Sequence, residues 1–105
     1  MSETMQLLDA MLARFNAAAA VDLEAVFQYH IDEAGAYYLQ VAEQQCRLCE
    51  GEHADPSVSL TLDQATLREI LCGETDGMQA FMAGRVKAGG NILLATRLAE
   101  LFPLA

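Results

Sequence analysis

Three cysteines, two histidines and fifteen carboxylates are the residues of this chain whose chemistry could go beyond packing. Cys46-Arg47-Leu48-Cys49 has the CxxC spacing of zinc knuckles and redox helices. Here it lies in a run of period two, Cys46 and Leu48 against Arg47 and Cys49. Residues three apart on a strand point to opposite faces, so the two sulfurs diverge, one expected buried and one exposed. Neither a second CxxC nor an HxxxH completes a metal site, and no metal is expected. A catalytic histidine needs a nucleophile or an orienting carboxylate within reach. His30 falls on the polar side of a strand candidate and His53 in an acidic loop, and the sequence sets no such group beside either. The clusters Glu50/Glu52/Asp55 and Glu74/Asp76 lack the ordered ligand spacing of a calcium loop. They read as solvated loops that shift a carboxylate pKa little. Gly84, Gly89 and Gly90 form neither GxGxxG nor a phosphate loop. The polar inventory therefore holds no catalytic constellation, and neither an enzyme nor a cofactor is expected. The competing enzyme reading would rest on a loop carboxylate or His53.

The apolar inventory says more. Met78, Phe81 and Met82 share one face of a short helix expected over 77–83, and methionine fits irregular shapes. A single helix is expected from about Asn91 to Phe102, apolar almost all round, with only Arg97 and Glu100 marking a wet side. Such a helix must be covered over most of its surface. Core packing, a partner subunit or a bound lipid would each do that.

The elements that position these residues follow from periodicity. Met5, Leu8, Met11, Leu12 and Phe15 form a helical stripe, with Ser2 or Thr4 as its cap. The conformation of Asn16 to Ala20 is left open. From Ala25, Phe27, Tyr29 and Ile31 alternate with Val26, Gln28 and His30. Asp32-Glu33-Ala34-Gly35 has turn chemistry, with Gly35 suited to positive φ. Tyr37, Leu39 and Val41 then alternate with Tyr38, Gln40 and Ala42; after the CxxC run and a polar loop over 50–56, Val58, Leu60 and Leu62 alternate with Ser57, Ser59 and Thr61. Each strand has one apolar and one mostly polar face, as in a largely antiparallel sheet covered on one side. The helices must lie on that side. Asp63 is placed to cap a helix over 64–71 that buries Leu67, Ile70 and Leu71, with Gly73 to end it. Asp76 opens the helix over 77–83 and Gly84 stops it. Arg85 to Ala88 is a short strand candidate closed by Gly89-Gly90.

At 105 residues the chain makes one domain, and folding buries about 65% of the extended surface. Apolar residues are 53% and charged residues 20%, which excludes disorder. The net charge of −9 argues against nucleic acid and against an anionic membrane surface as partners. No apolar run approaches the roughly 18–20 residues of a membrane span, and stable insertion is not expected. The acidic start, Met1-Ser2-Glu3-Thr4, does not read as a secretory signal. An odd number of cysteines fits a reducing cytoplasm.

Three features together resemble the sterol carrier protein-2 domain family, and in particular its free-standing bacterial members. Asp55 to Leu62 followed by Asp63 looks like the family's strand and acidic helix start. Leu67 to Gly73 looks like its helix ending in glycine. Ala80-Phe81-Met82-Ala83-Gly84-Arg85-Val86-Lys87-Ala88-Gly89-Gly90 is similar to its best-known signature. The resemblance spans about 21–102 and is strongest over 54–102. It implies an α/β fold, a five-stranded, mostly antiparallel sheet with helices on one face, and an apolar tunnel between them for a fatty acid, phospholipid, sterol or isoprenoid. Carried over by position, it puts Phe27, Tyr29, Leu39 and Leu60 on the tunnel floor. It puts Met78, Phe81, Met82, Ile92, Leu93, Ala95, Thr96, Leu98 and Phe102 beside or over it. Tyr37, Tyr38, Thr96 and Arg97 are the candidates for polar groups at its mouth. The family shares no catalytic residue. The chain departs from many eukaryotic members in being acidic and in lacking a peroxisomal Ser-Lys-Leu ending. The expected activity is non-enzymatic lipid binding or carriage. The alternative is an interaction module, a homodimer or an accessory factor of a lipid or quinone pathway that uses the apolar C-terminal segment.

Overall fold

The computed structural model describes residues 3–102. Five strands, β1 (Ala25–Asp32), β2 (Gly35–Ala42), β3 (Gln45–Glu50), β4 (Val58–Asp63) and β5 (Lys87–Gly90), form one sheet in the order β3-β2-β1-β4-β5. Three of its four pairings are antiparallel; β1 and β4 run parallel, with Tyr29 beside Leu60. The register lines Phe27 up with Leu39 and Val58, and Tyr29 with Tyr37 and Leu60, so the alternating apolar residues share one face. Five helices supply the rest of the core: α1 (Glu3–Leu12), α2 (Gln64–Leu71), α3 (Gly77–Met82), α4 (Ile92–Ala95) and α5 (Leu98–Leu101). Leu8, Met11, Leu67, Ala80, Leu101 and Phe102 join the inward strand residues in one cluster.

Local chemistry sets the element ends. Asp63 caps α2, its Oδ1 accepting from the Thr66 N–H at 2.7 Å. Asn16 caps a 3-10 turn, Ala17–Ala20, by accepting from the Ala18 N–H at 3.2 Å. Ser2, a candidate cap of α1, lies outside the described residues. Thr4 is no cap; it is buried inside α1 and its hydroxyl donates to Gln64 Oε1 at 2.8 Å, tying α1 to α2. Gly35 has φ +114, as the first hairpin requires. The second hairpin turns through Glu43 and Gln44, both at positive φ (53° and 61°), although neither residue favours that region.

Four expectations are corrected. The fifth strand begins at Lys87 and takes in both glycines, two residues later than Arg85. Gly90 pairs with Val58 at φ +86, and a Cβ there would stand 2.8 Å from the Ser57 carbonyl oxygen, so glycine permits the pairing. The final segment is two one-turn helices, not one long helix. The Thr96 hydroxyl donates to the Leu93 carbonyl at 2.6 Å, and the Arg97 N–H bonds Leu94 three residues back, which tightens the chain between the two turns. The outer face of the sheet is not uniformly wet: Val26 and Gln28 are buried. Gln28 donates to the Tyr37 and Gly51 carbonyls at 3.1 and 3.0 Å and accepts from the His53 N–H at 2.8 Å, which holds the 51–53 loop over that face. Finally, Cys46 and Cys49 are both half-buried rather than one in and one out, while Cys72 is exposed. Cys46 packs against the core, and burial pushes its thiol up to about 11. Cys49 stands across from Tyr38, whose phenol is raised first by its bond with the Cys49 side chain.

Candidate ligand cavity

The β1–β4–β5 half of the sheet is not fully covered by its helices. A cavity of about 460 Å³ remains there, within the roughly 300–1,000 Å³ of small-molecule sites. Tyr29, Leu60, Leu62 and Ala88 form its floor. They are successive inward residues of β1, β4 and β5, brought side by side by the register. Met11 of α1 and Leu67, Ile70 and Leu71 of α2 form one wall. The amphipathic stripe of α2, held at its start by the Asp63 cap, aims these three inward. Met78, Phe81, Val86, Ile92, Ala95, Thr96, Leu98, Ala99 and Phe102 complete the enclosure, with Asp76 and Gly77 at the start of α3. Met78, Phe81 and Ile92 are also partly open to water, so the rim lies at the surface.

Polar chemistry in this space is sparse. Burial is the main cause that pushes the Tyr29 phenol well above its ordinary range, so it stays neutral. Asp76 carries the one formal charge of the lining, and the Thr96 hydroxyl is taken by Leu93. No side chain of the lining is set up as a nucleophile with a base beside it. Among the described residues no group of three or more His, Cys, Asp or Glu could hold a metal ion. The histidines lie elsewhere. His53 Nδ1 accepts from the Asp55 N–H at 3.0 Å and its ring stands edge-on to Tyr38 at 5.2 Å. His30 lies 3.9 Å from Glu52, beside a separate groove at the β1–β2 turn.

Of the thirteen residues expected around an apolar tunnel, nine line this cavity: Tyr29, Leu60, Met78, Phe81, Ile92, Ala95, Thr96, Leu98 and Phe102. Phe27 and Leu39 do not; both are wholly enclosed in solid core. Met82 and Leu93 point into solvent at 78% and 79% exposure, because the short α3 and α4 each present one side to the cavity and one to water. Of the mouth candidates, Thr96 alone is in the lining. The Tyr37 hydroxyl donates to the Ala34 carbonyl at 3.4 Å, Tyr38 meets the His53 ring edge-on on the outer face, and Arg97 is held by Ala19 and Glu100. Met11, Leu67, Ile70 and Leu71 were legible as buried helix stripes but not as cavity walls. Nothing in the sequence marked Asp76 as a lining residue.

Comparison with known proteins places this architecture. Human stomatin-like protein 1 is 28% identical over 97 residues, covering 88% of this chain; the chain spans 24% of that relative. The sec-alkylsulfatase Pisa1 from Pseudomonas sp. superposes with a TM-score of 0.79 at 21% identity, over 99% of this chain and 16% of the sulfatase. The palmitated SCP2L2 structure from Aedes aegypti superposes with a TM-score of 0.73 at 25% identity, over 98% of this chain and 96% of that one. Among the described residues, no helix is long and apolar enough to cross a membrane. With its one-sided five-stranded sheet, and with residues 7–103 matching the family profile, the chain belongs to the SCP-2 sterol transfer family.

Proposed function

We propose that this chain binds and carries a lipid without chemical change, holding the lipid's apolar tail in the cavity over β1, β4 and β5. The observation that carries this reading is the 460 Å³ space with an almost wholly apolar lining. A palmitated relative of the same fold supports an aliphatic tail as the occupant. The driving force is removal of the tail from water. At roughly 25 cal/mol per Å², sequestering roughly 300 Å² contributes about 7–8 kcal/mol before the entropy of association. Tyr29, Leu60, Leu62, Phe81, Ile92 and Leu98 are the contacts on which we place this binding. Three unbridged cysteines support a reducing compartment, and we propose the cytoplasm.

The test is titration with a neutral fluorescent lipid probe. Leu98→Arg and Phe81→Asp each set a charge in the lining and should weaken binding by at least about tenfold, while circular dichroism stays native. Undiminished binding in both folded variants would contradict the assignment. A second reading has one observation in its favour: Met78, Phe81, Met82, Ile92 and Leu93 are large apolar side chains left exposed on α3 and α4. A second copy of the chain packed there would cover them. Sedimentation that shows a dimer, lost in Leu93→Glu, would support that arrangement.

A further inference from the structure

Among the described residues, five of the six large apolar side chains left exposed lie on α3 and α4: Met78, Phe81, Met82, Ile92 and Leu93. Met78, Phe81 and Ile92 also line the cavity, so the exposed patch is continuous with the cavity rim. Met82 and Leu93 are outside the lining and point into water from the same two helices.

This patch lies in a stretch whose charge differs from the rest of the chain. Residues 77–99 contain Arg85, Lys87 and Arg97 and no Asp or Glu, a formal charge of +3. The other 82 residues contain three cations and all fifteen carboxylates, a formal charge of −12. Asp76 and Glu100 bound the stretch. Arg85 pairs with Glu69 at 2.9 Å and Arg97 with Glu100 at 3.3 Å. Lys87 alternates with Val86 and Ala88, which line the cavity, so it projects from the other side of the sheet. The outer surface of α3 and α4 is therefore apolar and close to neutral on an otherwise acidic molecule.

We propose that this face docks on a zwitterionic phospholipid bilayer, with Met82 and Leu93 entering the headgroup region and the cavity rim held against the lipid. Two observations favour a bilayer over a second copy of the chain as the cover. A second copy would bring another body of −12 alongside the first, whereas a zwitterionic bilayer adds no net charge. A second copy would also lie across the rim where the cavity reaches the surface, whereas a bilayer supplies lipid at that rim. The contact is peripheral, since no helix among the described residues is long and apolar enough to cross a membrane. The proposal rests on the lipid-binding reading above for the role of the cavity and names the surface through which the ligand passes.

The test is flotation of the full chain with phosphatidylcholine vesicles, wild type against Met82→Glu/Leu93→Glu. Both side chains are solvated and outside the lining, so circular dichroism and titration with the neutral fluorescent lipid probe should not change. The vesicle partition coefficient should fall at least about tenfold, as two apolar contacts become charges. The rate of probe transfer to acceptor vesicles should rise with vesicle concentration in the wild type and lose that dependence in the variant. Val21→Glu, the same change at the exposed large apolar side chain outside the patch, should alter neither quantity. Equal partition of wild type and double variant, or no partition of the wild type, overturns the docking face. So does binding that appears only with anionic phosphatidylserine, because a basic patch would then be the contact. A wild-type dimer that is lost in Leu93→Glu, with transfer independent of vesicle concentration, overturns it in favour of a second copy. If the probe does not bind while the wild type floats and the double variant does not, the face still docks and only the lipid-binding reading falls.

Discussion

The apolar face of the sheet has two halves, and they are finished differently. Over β1, β2 and β3, Phe27, Leu39 and Val41 are almost wholly buried, and Leu8 is enclosed with them. Over β1, β4 and β5 the strands are just as regular, yet beyond the wall made by α2 and the end of α1 their cover is three helices of four to six residues. Those helices leave Met78, Ile92 and Leu93 substantially exposed and about 460 Å³ unfilled beneath them. Both halves use the same residue types at the same spacing. The difference lies in the cover. A ten-residue helix presents a continuous stripe, whereas one-turn helices present single residues and cannot close a seam. Close packing stabilises one half; the other half keeps the space that a ligand would fill.

The sharpest way to break this contrast is a matched pair of truncations. Phe27→Ala in the filled half should cost about 3–5 kcal/mol, a fall in Tm of more than about 12 °C. Ile92→Ala at the cavity rim should cost less than about 1 kcal/mol, because the side chain is already 47% exposed. Equal losses in thermal denaturation would mean that the two halves are packed alike. A second, smaller effect separates the two faces of the sheet. Gln28→Ala removes the bonds to the Tyr29, Tyr37 and Gly51 carbonyls and the acceptor for His53, and should cost about 1–3 kcal/mol. Hydrogen exchange at the His53 amide should quicken while the amides of β4 stay protected. Exchange that does not change would show that the loop is held by something else.

The smallest effect sharpens how the cavity wall is positioned. Asp63→Ala should cost about 1 kcal/mol by uncapping α2. The Thr66 hydrogen bond holds the Asp63 carboxyl below its ordinary value of 3.8. Its charged form is therefore favoured in the folded state. The contribution is present above that ordinary value and lost as pH falls through the depressed folded one. Urea titrations of the wild type and Asp63→Ala should differ at pH 7 and converge in acid. A gap that persists in acid would rule out the carboxylate as its source.

Much of this architecture can be read from the residues, and the parts that cannot have physical causes. Period two in β1, β2 and β4 assigns each residue to a face and sets Tyr29 and Leu60 on the apolar one, and the family resemblance alone pointed to them as tunnel floor. The same alternation does not say where along the sheet a helix is missing, so Phe27 and Leu39 were grouped with them although they lie in solid core. The strand Lys87–Gly90 ends in two glycines, which read as a stop; only the approach to the Ser57 backbone makes them strand residues. Thr96 looks like any polar position in an apolar helix, and its bond back to Leu93, which accompanies the break, depends on the final rotamer. Asp76 reads as a helix start from sequence. That it also faces a cavity depends on how the helix over Gly77–Met82 docks, which is tertiary information.

The central claim is that the space over β1, β4 and β5 holds a lipid tail. Mass spectrometry of the freshly purified protein, first native and then after organic extraction, addresses it most directly. The account predicts a lipid that adds its mass one-to-one to the native ion, appears in the extract, and is absent from Leu98→Arg prepared in the same way. A bare protein from every preparation, including one incubated with long-chain lipids before desalting, would contradict it.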